Sequence, residues 1–175
     1  MSLRFAILTA LTEKSSTGIE LARRFDRSIG YFWPATHQQI YRELDRLVAD
    51  EMIAEVTGAE PPSRGNPRTF AVLPRGTAEL RDWSQQAFPT PKRRDPLMVQ
   101  IRAASALGGV DMRPLITEHR NRHAKRLEQY VEIEDKQFSG ELDEKARMQL
   151  LVLRAGIATE RMWVEWCEKS LADLG

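Results

Sequence analysis

Between residues 143 and 174, Ala146, Leu150, Leu153, Ile157, Val164, Cys167, Leu171 and Leu174 recur at steps of four and three, and Glu160 is the single break. A seam this regular over about four heptads predicts one long helix that packs against another in coiled-coil fashion. At about 1.5 Å per residue it would run roughly 45 Å, longer than a small domain can cover by itself. A second helix is predicted over 113–138, but its stripe of Ile116, Leu127, Tyr130 and Phe138 is sparser. A shorter helix over 97–109 ends at a glycine pair. None of these matches the last helix in regularity. The expectation is therefore a homodimer, with Leu150, Leu153, Ile157, Val164 and Leu171 packed across a two-fold axis.

A change in composition separates this region from the rest. The segment 88-FPTPKRRDP-96 holds three prolines and three consecutive basic residues and cannot continue a helix. Upstream, 3-LRFAILTAL-11 reads as a short apolar helix. After a break at Ser15 and Ser16, a second helix opens on a capping box of Thr17 and Glu20, with Leu21, Ala22 and Phe25 inward. A third follows Pro34, with Thr36 as N-cap, Gln39 closing a second capping box, and Ile40, Leu44, Leu47 and Val48 as its apolar stripe. Two strand-like pieces, 53-IAEV-56 and 68-RTFAVL-73, flank a Pro/Gly-rich tip at 57–67. Three helices and a two-stranded wing make a winged helix-turn-helix. The predicted class is mainly α: a winged helix-turn-helix over 1–88, then a helical, coiled-coil-like dimerisation domain over 95–175.

The third helix gathers unusual chemistry at its exposed N-terminal end, where His37, Gln38, Tyr41, Arg42 and Asp45 lie off the stripe. A helix entering the major groove reads base edges with such N-terminal side chains. Gln38 can pair with adenine, Arg42 with guanine or phosphate, and His37 and Tyr41 can donate to the backbone; Thr36, the N-cap, is placed with them at the DNA-binding end. A solvated helix face is the alternative. Net charge is only +1, from 26 basic and 25 acidic residues, so bulk charge gives no case for nucleic acid. The local distribution does. From Pro61 to Ala78 there are three arginines, Arg64, Arg68 and Arg75, and no acidic residue. Arg64 and Arg68 are expected to contact phosphates of double-stranded DNA.

The runs "IYRELDRL" (40–47), "GNPR" (65–68) and "FAVLPRG" (70–76) resemble the PadR family of bacterial transcriptional regulators. The long-helix region resembles the "virulence activator" C-terminal domain of the family's longer members. The resemblance implies a dimer on an inverted-repeat operator, commonly a repressor released by a small molecule. Tyr41 falls on the family's recognition-helix tyrosine and Arg68 on its wing arginine. In place of the family's acidic-Gly-Leu-Ile, the helix here ends on Glu51-Met52-Ile53, which sets Met52 at the left-handed position where glycine is favoured. Pro74 replaces a common capping threonine and suits a helix start near Gly76.

Other classes fare poorly. His119 and His123 have the i, i+4 spacing of zinc proteases, but the motif's glutamate position is Arg120, which would repel a cation. No nucleophile elbow or phosphate loop is present. Cys167, the single cysteine, lies on the seam as an inert thiol. No catalytic residue, metal or cofactor is expected. Without a disulfide, a signal h-region or an apolar run of membrane-spanning length, a cytoplasmic location is expected. Trp163 and Trp166 sit three apart on the last helix, where tryptophan either packs a helix interface or stacks on a small planar aromatic effector. A winged helix used only for protein assembly is the rival reading, and it would present apolar rather than polar residues on the third helix.

Overall fold

The computed structural model describes residues 2–27, 33–56, 67–89 and 94–175, which fall into two compact units, 1–90 and 91–175. In the first, the elements run α1 (Ser2–Glu13), β1 (Ser16–Thr17), α2 (Gly18–Arg27), α3 (His37–Ala49), β2 (Ile53–Val56), β3 (Thr69–Val72) and α4 (Pro74–Ser84). Ile7, Leu8 and Leu11 of α1, Leu21 and Phe25 of α2, Ile40, Leu44 and Leu47 of α3, and Met52, Ile53 and Phe70 close one core. Both capping boxes form. Gln39 N–H donates to the Thr36 hydroxyl, and Thr36 N–H donates to the Gln39 side chain. At α2, Thr17 N–H donates to the Glu20 carboxylate (2.8 Å), and this bond holds the Glu20 carboxyl below its ordinary range.

The wing has a third strand that the sequence reading did not contain. β1 pairs antiparallel with β3 (Ser16 opposite Phe70, Thr17 opposite Thr69), giving the order β1-β3-β2. β2 and β3 pair with Ile53 opposite Val72 and Val56 opposite Thr69. Residues 57–66, the expected hairpin tip, lie outside the described residues.

The end of α3 also departs from expectation. Met52 N–H donates to the Leu47 carbonyl and Glu51 N–H to the Val48 carbonyl, the paired bonds of a Schellman ending. The left-handed residue is Glu51 (φ 55°), one position before Met52, which is instead buried. Immediately beyond the sheet, α4 begins at Pro74, two residues before Gly76. A Cβ on Gly76 would stand 2.3 Å from the Met52 carbonyl oxygen, which also accepts from Leu73 N–H at 2.9 Å. Glycine is therefore required there for α4 to sit on the start of β2. Trp83 of α4 stacks on Phe5 of α1 (centroids 4.5 Å apart), so this tryptophan is packing.

The second unit comprises α5 (Pro96–Leu107), capped by Asp95 and ended at Gly108, then α6 (Arg113–Gln137) and α7 (Glu144–Asp173). α6 and α7 form an antiparallel hairpin. Arg154 pairs with Glu134 at one end (2.7 Å), and Arg113 donates to the Gly175 carbonyl at the other (3.4 Å). Ile116 and Tyr130 are buried from α6, and Leu150, Ile157, Glu160, Trp163 and Cys167 from α7. The seam, which no other helix matches in regularity and which was expected to pack across a two-fold axis, has α6 lying along it within the chain. Among the described residues, no helix is long and apolar enough to cross a membrane.

Two substitutions test this architecture. Gly76→Ala should destabilise the first unit by about 1–3 kcal/mol, because the contact is with backbone that cannot turn away. Glu51→Gly should stabilise it by about 0.5–1 kcal/mol by relieving the left-handed strain. Thermal melts of the two variants should move in opposite directions.

Candidate nucleic-acid interface

One side of α3 is fully committed to the core, since Ile40, Leu44 and Leu47 have no more than 1% exposure. Gln38, Tyr41, Arg42 and Asp45 face outward, as the stripe requires. Thr36 spends its hydroxyl on the cap and so fixes where α3 begins. His37 places Nε2 3.1 Å from Asp26 at the end of α2 and is tied to that helix. Asp26 went unnoticed in the sequence because the two residues meet only after α2 and α3 cross.

Tyr41 is 40% exposed, yet its ring is not free. A Cβ on Gly18 would lie 2.4 Å from Tyr41 Cε1 and 3.2 Å from its hydroxyl oxygen, so the ring rests on the first turn of α2. Gly18 was not singled out in the sequence. The available signal was a glycine directly after the capping Thr17, where helix propensity would favour almost any other residue.

The wing arginines fare differently from one another. Arg64 lies outside the described residues. Arg68 is half-exposed and donates to Glu55 of β2 at 2.8 Å, approaches Asp45 of α3 at 3.7 Å and stands over the Phe70 ring at 5.6 Å. The sequence reading of Arg68 as a simple phosphate contact did not include these two carboxylates. Exposed ion pairs of this kind contribute only about 0–1 kcal/mol each. In the structure Arg68 bridges the sheet to α3.

In the second unit, Trp163 is buried against His123 (stacked, 5.4 Å), His119 (edge-on, 4.9 Å) and Trp166 (edge-on, 5.5 Å), while Trp166 is half-buried. The effector assignment of Trp163 therefore competes with a contact set that already surrounds it. Leu150 and Ile157 are buried within the chain, and Leu153, Val164 and Leu171 are half-buried on the same side of α7. Glu160, the break in the seam, is itself buried; it carries the partners His123 and Arg126 (Nη1 3.7 Å). Burial pushes the Cys167 thiol up, away from the reactive thiolate.

Residues 7–82 match the transcriptional regulator PadR-like family, and residues 93–175 match the virulence activator alpha C-terminal domain. The chain is similar to the probable transcriptional regulator Rv1176c of Mycobacterium tuberculosis, 38% identical over 181 residues that cover 97% of this chain and 95% of that protein. It is also similar to the negative transcriptional regulator PadR of Bacillus subtilis, 27% identical over 175 residues covering 97% and 96%. The solved complex of Bacillus subtilis PadR with operator DNA has a TM-score of 0.86 at 25% identity and covers 100% of both chains. The complex of that PadR with p-coumaric acid has a TM-score of 0.81 at 25% identity, covering 98% of each chain. With both halves matched, this chain belongs to the PadR-like family of transcriptional regulators, a family of regulators and not of enzymes.

Proposed function

We propose that this protein is an operator-binding repressor that acts in the cytoplasm as a homodimer, with α3 as its recognition helix and a small planar aromatic effector as its release signal. The observation that carries the reading is the division of α3: its apolar side is wholly buried, and its capped N-terminal end presents Gln38, Tyr41 and Arg42 outward. Polar side chains there favour DNA over a protein-assembly surface. The operator complex of Bacillus subtilis PadR, matched over the full chain, supports the DNA partner, and the p-coumaric acid complex supports the effector class. In this reading Gln38 and Arg42 meet base edges, Tyr41 and His37 the DNA backbone, and Arg68 and Arg64 phosphates beside the wing. Arg64 is assigned on sequence alone. Trp166, the more open of the tryptophan pair, is the one available to a planar effector.

The dimer surface follows from α7. Its inner side meets α6, yet Met148, Leu151 (62% exposed), Val152 and Met162 stay uncovered on the opposite side. A helix that is apolar on two opposite faces needs two partners. We assign the outer face to the second copy of the chain, with the half-buried Leu153, Val164 and Leu171 flanking the inner seam rather than forming the interface.

Three measurements test these assignments. Tyr41→Ala and Gln38→Ala should weaken operator binding, the latter by about 1–3 kcal/mol with little change on random duplex. If Tyr41→Ala binds operator like the parent protein, α3 is not the reading helix. Arg68→Ala should weaken binding to all sequences and lower the salt slope by about one. Leu151→Asp should yield folded monomers by sedimentation, whereas Ile157→Asp should lose helicity, because it buries an unpaired charge inside the α6–α7 hairpin.

A further inference from the structure

His119 and His123 on α6 and Glu160 on α7 form a cluster that the DNA reading leaves unused. The i, i+4 spacing sets both imidazoles on one face of α6, with their Nε2 atoms 3.0 Å apart and ring centroids 4.4 Å apart. Nitrogens meeting head-on would leave the ring centres farther apart than the nitrogens by a full ring width. The smaller difference here means that the two rings are inclined to each other, at 58°, and do not meet along one line. Two nitrogen ligands at about 2.0–2.1 Å from one ion are themselves about 3–3.4 Å apart, depending on the angle between them.

We propose that His119 and His123 form a two-imidazole site for a late first-row divalent ion of the zinc, nickel or copper type. The supporting shell is in place. His123 Nδ1 donates to the buried Glu160 carboxylate, which holds the proton on Nδ1 and leaves Nε2 unprotonated, as an acceptor. The Trp163 ring lies against both imidazoles and fixes their planes. Arg122 Nη2 lies 3.4 Å from His119 Nδ1 and donates to it, so in the metal-free pair His119 Nε2–H donates to His123 Nε2. Binding moves the His119 proton from Nε2 to Nδ1 with no net release, and exposed Arg122 swings aside.

The surrounding charge sets the selectivity. Arg120 is paired with Glu168 (3.9 Å) and Arg126 with Glu160 (3.7 Å), so the cation repulsion expected from Arg120 is largely countered. Arg122 leaves a residual positive charge, which disfavours weakly bound ions such as magnesium and calcium and leaves those high in the imidazole affinity series. The described residues contain no group of three or more His, Cys, Asp or Glu that could hold an ion. The remaining positions therefore fall to water, and the dissociation constant should lie in the micromolar range.

The chain has three histidines, so His37 is an internal reference. Untagged full-length protein would be titrated with zinc chloride at neutral pH, followed by calorimetry and by imidazole nitrogen NMR. The expected result is saturable binding of one zinc per chain. The Nε2 signals of His119 and His123 should shift together while His37 stays fixed, and magnesium chloride should give no response. His119→Ala and His123→Ala should each weaken binding by about tenfold or more, and Glu160→Gln by about tenfold through loss of the shell behind His123. Should a variant lose its helical circular dichroism, the NMR shifts of the parent protein decide alone. Absence of saturable heat up to millimolar zinc, shifts confined to His37, or unchanged binding in folded His119→Ala and His123→Ala would overturn the site.

Discussion

A helix of thirteen residues can present a chemically rich face to a partner only if its other face is immobilised, and in this protein α3 depends on that division. Ile40, Leu44 and Leu47 are locked against Ile7, Leu8 and Leu11 of α1 and against Leu21 and Phe25 of α2. Burying each such side chain is worth about 1.5–3 kcal/mol, far more than any exposed contact on the outer face. The outward residues can therefore be polar, mutually repulsive or idle without loosening the helix. The capping box at Thr36 completes the arrangement by fixing where the helix begins, and so which residues occupy its first turn.

The attachment of the sheet to α3 rests on backbone, and charge plays the smaller part. The Schellman ending at Glu51 turns the chain into β2, and the Met52 carbonyl then accepts from Leu73 while Gly76 lies against it. Helix end, strand start and α4 thus share one peptide group. The ion pairs that join the same elements, Arg68 with Glu55 and Asp45, and Arg4 with Asp50 and Glu43, are partly exposed and individually weak. Packing thus sets how the sheet sits on α3, and the charges lie at the surface.

What could be read in advance follows the range over which each signal acts. Both capping boxes, the α3 stripe and the long α6 and α7 helices are local patterns, and the bounds of α6 and α7 differ from expectation by no more than a residue, whereas α3 ends at Ala49, short of the expected Glu51-Met52-Ile53. β1 is two residues long and acquires meaning only by pairing with Phe70 and Thr69, so no period could reveal it. The left-handed residue was misplaced by one position because a family pattern was aligned on Met52, whereas buried Met52 fills the apolar slot and Glu51 bears the strain. Gly18 and Asp26 were invisible for a common reason: each matters through a side chain on α3 that reaches it only in three dimensions.

The seam of α7 shows how a correct periodicity can mislead about its partner. Its regularity suggested a copy of itself, since α6 has no matching stripe. α6 nevertheless covers it, using Ile116 and Tyr130 where the seam is apolar and His119 and His123 around Trp163 and Glu160. A polar element in a helix-helix seam looks like a gap when one strand of sequence is read alone, and becomes a matched pair once the antiparallel neighbour is in register. Glu160 is then what sets that register. Sliding α7 by one turn would strand a buried carboxylate without His123 and Arg126, at a penalty no apolar pairing in the hairpin would impose. The same residue that breaks the heptads is the one whose partners mark how the hairpin is aligned.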